Sequence, residues 1–323
     1  MLRALRELHE RERPNAWILH NVLPVVSLGV YQLAAQLEVP IVQWLHNYRP
    51  LSPGGTLQVR GRLLEPEDPW ILWKESLAGT WRGRFATSWL SLAYAFMRRR
   101  RHYSSVRAWV AVSDEMRRIF IRGGWPESRL FTLRHSWDVA PSVAELPDQG
   151  YFLYVGRLIE EKGVRFLVDL WKDPALEHLD LVIAGDGPLR DELSRTTPKN
   201  VRWPGYVTGG EKGHLVAGCR AVLFPSLWPE PLSTVAYEAY EAAKPVIASS
   251  AGGMKEIVFD ARTGRVLEPG NRAAWCEAIL QLENNPSLAQ KWGTAGRLWL
   301  EQNVSPAGWN LQFDTLMKSA LAS

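Results

Sequence analysis

Short runs of consecutive apolar residues alternate with longer stretches whose apolar positions recur every three or four residues, over almost the whole chain. "AWILH" (16–20), "IVQWL" (41–45) and "RAWVAV" (107–112) have the length and continuity of strands buried on both faces. Between the first two, the spacing from Pro24 to Leu37 predicts a helix, so the segment has the β-α-β alternation of a parallel sheet covered by helices. A helix over "LRALRELHERERP" is expected to lead into the first strand. The pattern lapses from His46 to about Pro69, a loop containing "RPLSPGG"; loops of that length in compact domains are usually functional or mobile. "ATSWLSLAYAFMRRRR" (86–101) then predicts a helix, apolar at first and strongly basic at its end.

A polar, proline-bearing stretch, "DVAPSVAELPDQG" (138–150), separates this region from a second series. Strands are expected at "YFLYVG" (151–156), "LDLVIAG" (179–185), "VRWPGYV", "CRAVLFPS" and "KPVIASS", with helices between them. Five such alternations describe a doubly wound α/β domain. The organisation expected is an N-terminal domain over 1–140, a linker over 141–150, a second domain over 151–305, and a C-terminal helix over 306–323 crossing back to the first.

Composition narrows the class. With 46% hydrophobic and 22% charged residues in 323, the chain is globular and long enough for two cores. Its two cysteines, Cys219 and Cys276, suit neither a metal site nor a disulfide framework, so a reducing cytoplasm is expected. The N-terminus lacks the apolar core of a secretory signal, and no window reaches the ~20 apolar residues of a spanning helix. Charge is unevenly placed. Residues 1–140 carry 20 Lys and Arg against 12 Asp and Glu, whereas the remainder carries 18 against 22. A basic front half suits an anionic partner such as a membrane surface, a lipid phosphate or nucleic acid, and equally a solvated face with no partner. No nucleic-acid-binding motif accompanies it, so nucleic acid is not expected.

In an open parallel sheet, ligands bind beyond the carboxyl ends of the strands. "YFLYVG" is followed there by Arg157 and Lys162, and "LDLVIAG" by Asp186, Gly187 and Pro188. "AVLFPS" is followed by Trp228, Pro229 and Glu230 and then by the helix carrying Glu238; "VIASS" is followed by Ala251, Gly252 and Gly253. Two cations, two helix starts and two glycines on one edge suit a diphosphate, whose oxygens accept from helix N-termini and from Arg and Lys. The carboxylates suit vicinal hydroxyls of a ribose or hexose. Taken singly, each has a plain structural reading: a solvated turn, a surface glutamate, a tight turn. Their order at successive strand ends is what joins them.

"YVGRLIEEKG", "IAGDGP", "WPEPLSTVAYEA" and "KPVIASSAGGMKEIVFDARTGRVLEPGN" resemble the nucleotide-sugar-binding domain of retaining family-four glycosyltransferases of the GT-B fold. "VQWLHNYRPLSPGG" (42–55) resembles the His-Asn-Tyr-Arg loop of a bacterial branch of that family, and the resemblance runs from about residue 14 to the C-terminus. It implies two Rossmann-like doubly wound domains facing a cleft. In that frame Glu238 binds the ribose hydroxyls, while Glu230 holds the transferred sugar and stabilises positive charge as the glycosidic bond breaks. Arg157 and Lys162 grip the diphosphate and stabilise the leaving group, and His46 faces the sugar across the cleft. Gly156, Gly185, Asp186, Tyr206, Val207, Pro231, Leu232, Ser233 and Thr234 complete the donor pocket, with Asn47, Tyr48 and Arg49 on the acceptor side. The donor implied is a UDP- or GDP-linked hexose, transferred with retention to a hydroxyl of a glycan or lipid-linked acceptor. No metal or other cofactor is implied, in keeping with the lack of an Asp-x-Asp in a suitable loop.

Two departures stand out. The family usually shows Phe-Gly after the Glu-Pro pair, where this chain has Leu232 and Ser233; glycine there admits a close approach of backbone to diphosphate. The family's first domain also opens with a strand and a glycine-rich loop, which are missing ahead of the helix at Leu2. A truncated first domain is therefore expected, its sheet edge covered by the protein itself, another copy or a separate subunit. That keeps a second reading open, a non-catalytic or partner-dependent nucleotide-sugar-binding subunit. A dinucleotide-dependent oxidoreductase fits the alternation but lacks Gly-x-Gly-x-x-Gly after a first strand. The basic segment "MRRRRHY" (97–103) suits peripheral contact with an anionic inner-membrane face, or simply a helix C-terminus capped by cations. Tryptophans between 70 and 89 suit an acceptor site or lipid contact.

Overall fold

The computed structural model describes all residues except 24–26, 100–102, 141–145 and 323. The start of the expected helix at Pro24, part of the basic segment 97–103 and half of the expected linker lie outside the described residues. The chain divides into two compact units, Met1–Arg134 with Trp309–Ser323, and His135–Gly308. The division thus falls just ahead of the polar stretch, after Arg134. Residues 148–150 pack on the second unit: Gln149 N donates to Gly218 O at 2.9 Å, and Asp148 pairs with Arg220. No helix among the described residues is long and apolar enough to cross a membrane.

The first unit begins with α1 (Leu2–Glu12), β1 (Trp17–Leu19), α2 (Gly29–Gln36) and β2 (Ile41–Leu45). A short antiparallel hairpin, β3 (Gln58–Val59) and β4 (Arg62–Leu63), interrupts the expected loop, and α3 (Ile71–Ala78) and α4 (Arg84–Arg99) follow. Next come β5 (Val106–Ala111), α5 (Asp114–Arg122) and β6 (Leu130–Thr132). The four strands of the main sheet are parallel, in the order β1-β2-β5-β6. All five residues of β2 are buried, and its one polar side chain is satisfied there. Gln43 accepts from Tyr31 OH at 2.7 Å and donates to the carbonyls of Leu19 and Trp44. Helix α5 starts where Ser113 caps it, accepting from Met116 N at 3.2 Å, with Asp114 and Glu115 complementing the helix dipole.

The second unit contains β7 (Phe152–Val155), α6 (Val164–Leu170), β8 (Leu181–Ala184), α7 (Arg190–Ser194), β9 (Val201–Gly205), α8 (Gly209–Gly218) and β10 (Ala221–Phe224). It continues with α9 (Thr234–Glu241), β11 (Val246–Ser249), β12 (Gly264–Leu267), α10 (Arg272–Asn284) and α11 (Pro286–Asn303). A final helix, α12 (Pro306–Ala322), belongs from Trp309 onward to the first unit, where Trp309 Nε1 donates to Arg134 O and Phe313 stacks on Trp44. The six strands are parallel in the order β12-β11-β10-β7-β8-β9. The chain winds outward from β7 in one direction, returns to β10 and winds outward in the other. The order reverses between β7 and β10, the point where such sheets open a crevice at their carboxyl edge. A core including Trp171 and Trp275 from the covering helices holds the sheet. The sixth strand, β12, is a short edge strand within "TGRVLEPG" that the apolar pattern did not reveal.

Candidate functional site

The reversal point carries the chemistry. Beyond β7 the chain passes Gly156 and Arg157 into a single 3-10 turn at Glu160–Lys162; beyond β10 it runs from Pro225 to Glu230. Gly163 joins these segments. It adopts φ +71°, and a Cβ there would stand 2.0 Å from Pro225 O, so only glycine lets the lysine turn lie against the β10 loop. Leu227 N donates to Glu161 O at 2.9 Å and reinforces the contact.

Lys162 Nζ consequently reaches both carboxylate oxygens of Glu230, at 2.6 and 2.7 Å. The Glu230 side chain is only 7% exposed and that of Lys162 18%, so the pair is largely withdrawn from water. Ser226 Oγ adds a bond to Glu230 Oε2 at 3.3 Å, and Lys162 lies over the Trp228 ring. The backbone of Glu230 is clamped from β11: Gly253 N donates to Glu230 O at 2.7 Å. Gly252, at φ +65°, leaves no room for a side chain, since a Cβ would stand 2.1 Å from Glu230 O. The "AGG" turn therefore positions Glu230. Arg157 is exposed beside this pair and forms no ion pair with the described residues, while its carbonyl accepts from Tyr154 OH at 2.8 Å. Burial, with the Glu230 charge adding to it, pushes the Tyr154 hydroxyl above its ordinary range.

The second glutamate lies at the fifth position of α9, a little over one turn inside it. Lys212 of α8 pairs with Glu238 Oε1 at 2.7 Å. Glu238 Oε2 is buried without a hydrogen-bond partner among the described residues, and so is Ser249 Oγ at the end of β11. Buried acceptors left unsatisfied by a protein are uncommon and suit hydroxyl donors from a ligand. Ser233 does not cap α9 with its side chain, while its carbonyl accepts from Ala236 N at 3.2 Å. It sits at φ −107°, ψ 120°, an ordinary extended conformation. Backbone conformation there therefore does not demand the glycine common in the family.

The remaining donor-side residues divide. Gly156 and Gly185 bring the ends of β7 and β8 together, with Leu158 N donating to Asp186 O at 2.9 Å. Asp186 Oδ1 caps its own turn by accepting from Gly187 N at 2.8 Å. Pro231 and Leu232 are buried between Glu230 and α9, with Thr234 half-buried at the helix start. Val207 is buried, whereas Tyr206 is 75% exposed beyond β9.

In the first unit, His46 follows β2 as expected, and its Nε2 lies 2.8 Å from Nδ1 of His20, which follows β1. That contact uses one N–H and one lone pair, so the two rings cannot both be imidazolium within it. Burial lowers the pKa of His20. Asn47 donates to Asn21 Oδ1 at 3.0 Å and accepts from Arg49 N, whose guanidinium donates to Leu23 O. Tyr48 is different. Its ring is fully buried and stacks on Phe120, so it is a core residue and presents no acceptor-side surface. Ser226, Lys212, His20 and Tyr154 escaped the sequence reading. His20 and Ser226 had a signal, their places just past the carboxyl ends of β1 and β10.

This arrangement is an open parallel sheet with cations and carboxylates at its reversal point, the place where α/β sheets of this kind hold ligands. Solved structures extend the likeness to the whole fold, which is GT-B, with two Rossmann-like units. The Anabaena protein HepE, in complex with UDP and glucose, matches with a TM-score of 0.70 at 18% identity, covering 98% of this chain and 80% of that one. Sucrose-phosphate synthase from Thermosynechococcus elongatus matches with a TM-score of 0.70 at 18% identity, covering 99% and 77%. The chain belongs to the glycosyl transferases group 1, whose pattern it matches over residues 137–299. Among its relatives are an uncharacterized glycosyltransferase of Methanocaldococcus jannaschii, 32% identical over 46% of this chain, and the lipopolysaccharide core biosynthesis glycosyltransferase LpsD of Rhizobium meliloti, 27% identical over 63%. The matched parts span 43% and 61% of those relatives' own lengths.

Proposed function

We propose that the protein is a retaining glycosyltransferase that moves a hexose from a nucleotide-diphosphate sugar to a hydroxyl of a glycan or lipid-linked acceptor. The observation that carries this reading is the Lys162–Glu230 pair at the reversal point, with uncommitted Arg157 beside it and Glu238 held in α9. Arg157 and Lys162 take the diphosphate, where they stabilise the charge that develops on the leaving group. As Lys162 turns toward phosphate, Glu230 is freed to accept from the sugar hydroxyls and to face the positive charge that forms as the glycosidic bond breaks. Glu238 takes the ribose hydroxyls, a role supported by its buried Oε2, which has no hydrogen-bond partner among the described residues. His46 and Asn47 are assigned to the sugar and acceptor side.

HepE was solved with UDP and with UDP-glucose, which supports a nucleotide-sugar donor. In this reading charge stabilisation falls to side chains, so the transfer is metal-independent. We place the protein on the cytoplasmic side, in accord with two unbridged cysteines.

The test is release of nucleoside diphosphate from a panel of nucleotide sugars by the full chain. Glu230→Gln is expected to lower turnover by at least about a hundredfold, the scale of removing one charge-stabilising group, with nucleotide binding largely kept. Glu238→Ala is expected to weaken nucleotide binding. Full activity in Glu230→Gln would remove the mechanism. Saturable binding without release in the unaltered chain would identify a nucleotide-sugar-binding subunit instead.

A further inference from the structure

Helices α3 and α4 pack against each other as a hairpin, joined in part by a hydrogen bond between Ser76 and Ser91 at 3.0 Å. The inner face of α4 buries Leu90, Tyr94 and Met97. Its outer face is also apolar. Phe85, Trp89, Leu92 and Phe96 recur at the spacing of one helical stripe, and all are exposed, Phe85 by 90% and Leu92 by 71%. On α3, which packs against α4, Trp70, Trp73 and Leu77 form a second exposed stripe at the start of and along the helix. A solvated helix does not carry three tryptophans and two phenylalanines in contiguous stripes; an exposed face of this kind marks a surface that meets something else.

Charge selects the occupant. The turn between the helices carries Arg82 and Arg84, and the hairpin β3–β4, which lies against α3 through β3, carries Arg60 and Arg62. None of these four forms an ion pair among the described residues. The surface acids nearby are already paired, Asp68 with Lys74 at 2.5 Å and Glu65 and Glu67 with Arg122, and Glu75 of α3 is buried out of reach. Arg84 moreover opens α4 with a cation at the positive end of the helix dipole, where a cation works against the helix. A two-fold contact through this face would bring the four arginines of each copy onto a face whose surface acids are already paired. An anionic bilayer answers both features, since tryptophan and phenylalanine settle at the headgroup boundary while arginines meet lipid phosphate.

We propose that the α3–α4 hairpin docks the protein on an anionic lipid surface, with both apolar stripes in the interface and the four arginines on headgroup phosphates. This stands independently of the transferase reading. It is tested by co-sedimentation of the full chain with phosphatidylcholine vesicles with and without phosphatidylglycerol. Binding is expected to be at least about tenfold tighter to the anionic vesicles and to weaken with salt. Combined Phe85→Ser, Trp89→Ser and Leu92→Ser should lower partitioning by at least about tenfold with an unchanged circular dichroism spectrum. Combined Arg82→Gln and Arg84→Gln should reduce the preference for phosphatidylglycerol. Failure of the unaltered chain to bind either vesicle overturns the proposal, as does full binding by the triple serine variant. A lipid-free dimer that the serine variant dissolves assigns the face to a second copy and overturns it too.

Discussion

Lys162 and Glu230 illustrate what a single contact settles. The sequence places a lysine after one strand and a glutamate after another, 68 positions on; the structure joins them by two short bonds out of water. A carboxylate that buried, deprived of its partner, costs several kcal/mol. Lys162→Met is therefore expected to destabilise the protein by about 3 kcal/mol in urea unfolding, and Lys162→Met combined with Glu230→Gln to recover most of the loss. Equal destabilisation in the single and double variants would show that the pair contributes little. The pair Lys212–Glu238 is the harder case for reading. Lys212 lies in "GGEKGHL", an unremarkable amphipathic helix, and only the packing of α8 on α9 brings it to the ribose-side glutamate. Tyr48 shows the opposite error. It sits in a motif, yet its ring fills the core.

At the scale of elements, the loop after β2 is organised around one carboxylate. Glu75 of α3 is fully buried and has no cationic partner among the described residues; it accepts from Ser52 Oγ, from Gly54 N at 2.6 Å and from Thr80 Oγ1 at 2.7 Å. Burial raises its pKa and these bonds oppose the rise. The long loop is thereby pinned to α3, and through Gly55 O, which accepts from Tyr48 N at 3.1 Å, to the His46–Arg49 segment. Glu75→Ala leaves three donors unsatisfied and should lower stability by about 3 kcal/mol, with faster hydrogen exchange at Gly54 and Leu57. Unchanged exchange there would refute the pinning role. The sequence marked this stretch as a functional or mobile loop by its length and its Pro and Gly content. The organising residue was not legible because a glutamate in a helix ordinarily faces water.

Over the whole molecule, titratable groups locked in the cores shape the response to alkali. Cys219 is fully buried and its thiol is pushed up to about 12, chiefly by burial. Burial likewise raises the hydroxyls of Tyr103, Tyr154 and Tyr240. In the unfolded chain these groups ionise at their ordinary values while the folded protein keeps its protons, so the folded state binds more protons. Stability is then fully present below the unfolded thiol value of 9.0 and lost as pH rises toward about 12. The urea midpoint should fall steadily across that window. With thiol reagents near neutral pH, Cys276, which is half-buried, should react ahead of Cys219, and Cys219 only as its unit unfolds. Prompt reaction of both thiols in the native protein would contradict the buried placement.

What the sequence determined by itself were the local matters: apolar runs that can only be buried strands, helices between them, and the order of motifs at successive strand ends. These depend on neighbours within a few residues, where periodicity and turn chemistry act. Tertiary structure alone decided which side chains meet. It set the reversal of strand order that brings β7 beside β10, supplied Lys212 and Ser226 to the two glutamates, and took Tyr48 into the core. It also left the α3–α4 stripes exposed among the described residues. A helix with apolar residues on two faces reads as fully buried, and whether its second face finds a neighbour in the same chain depends on long-range packing that no local pattern encodes.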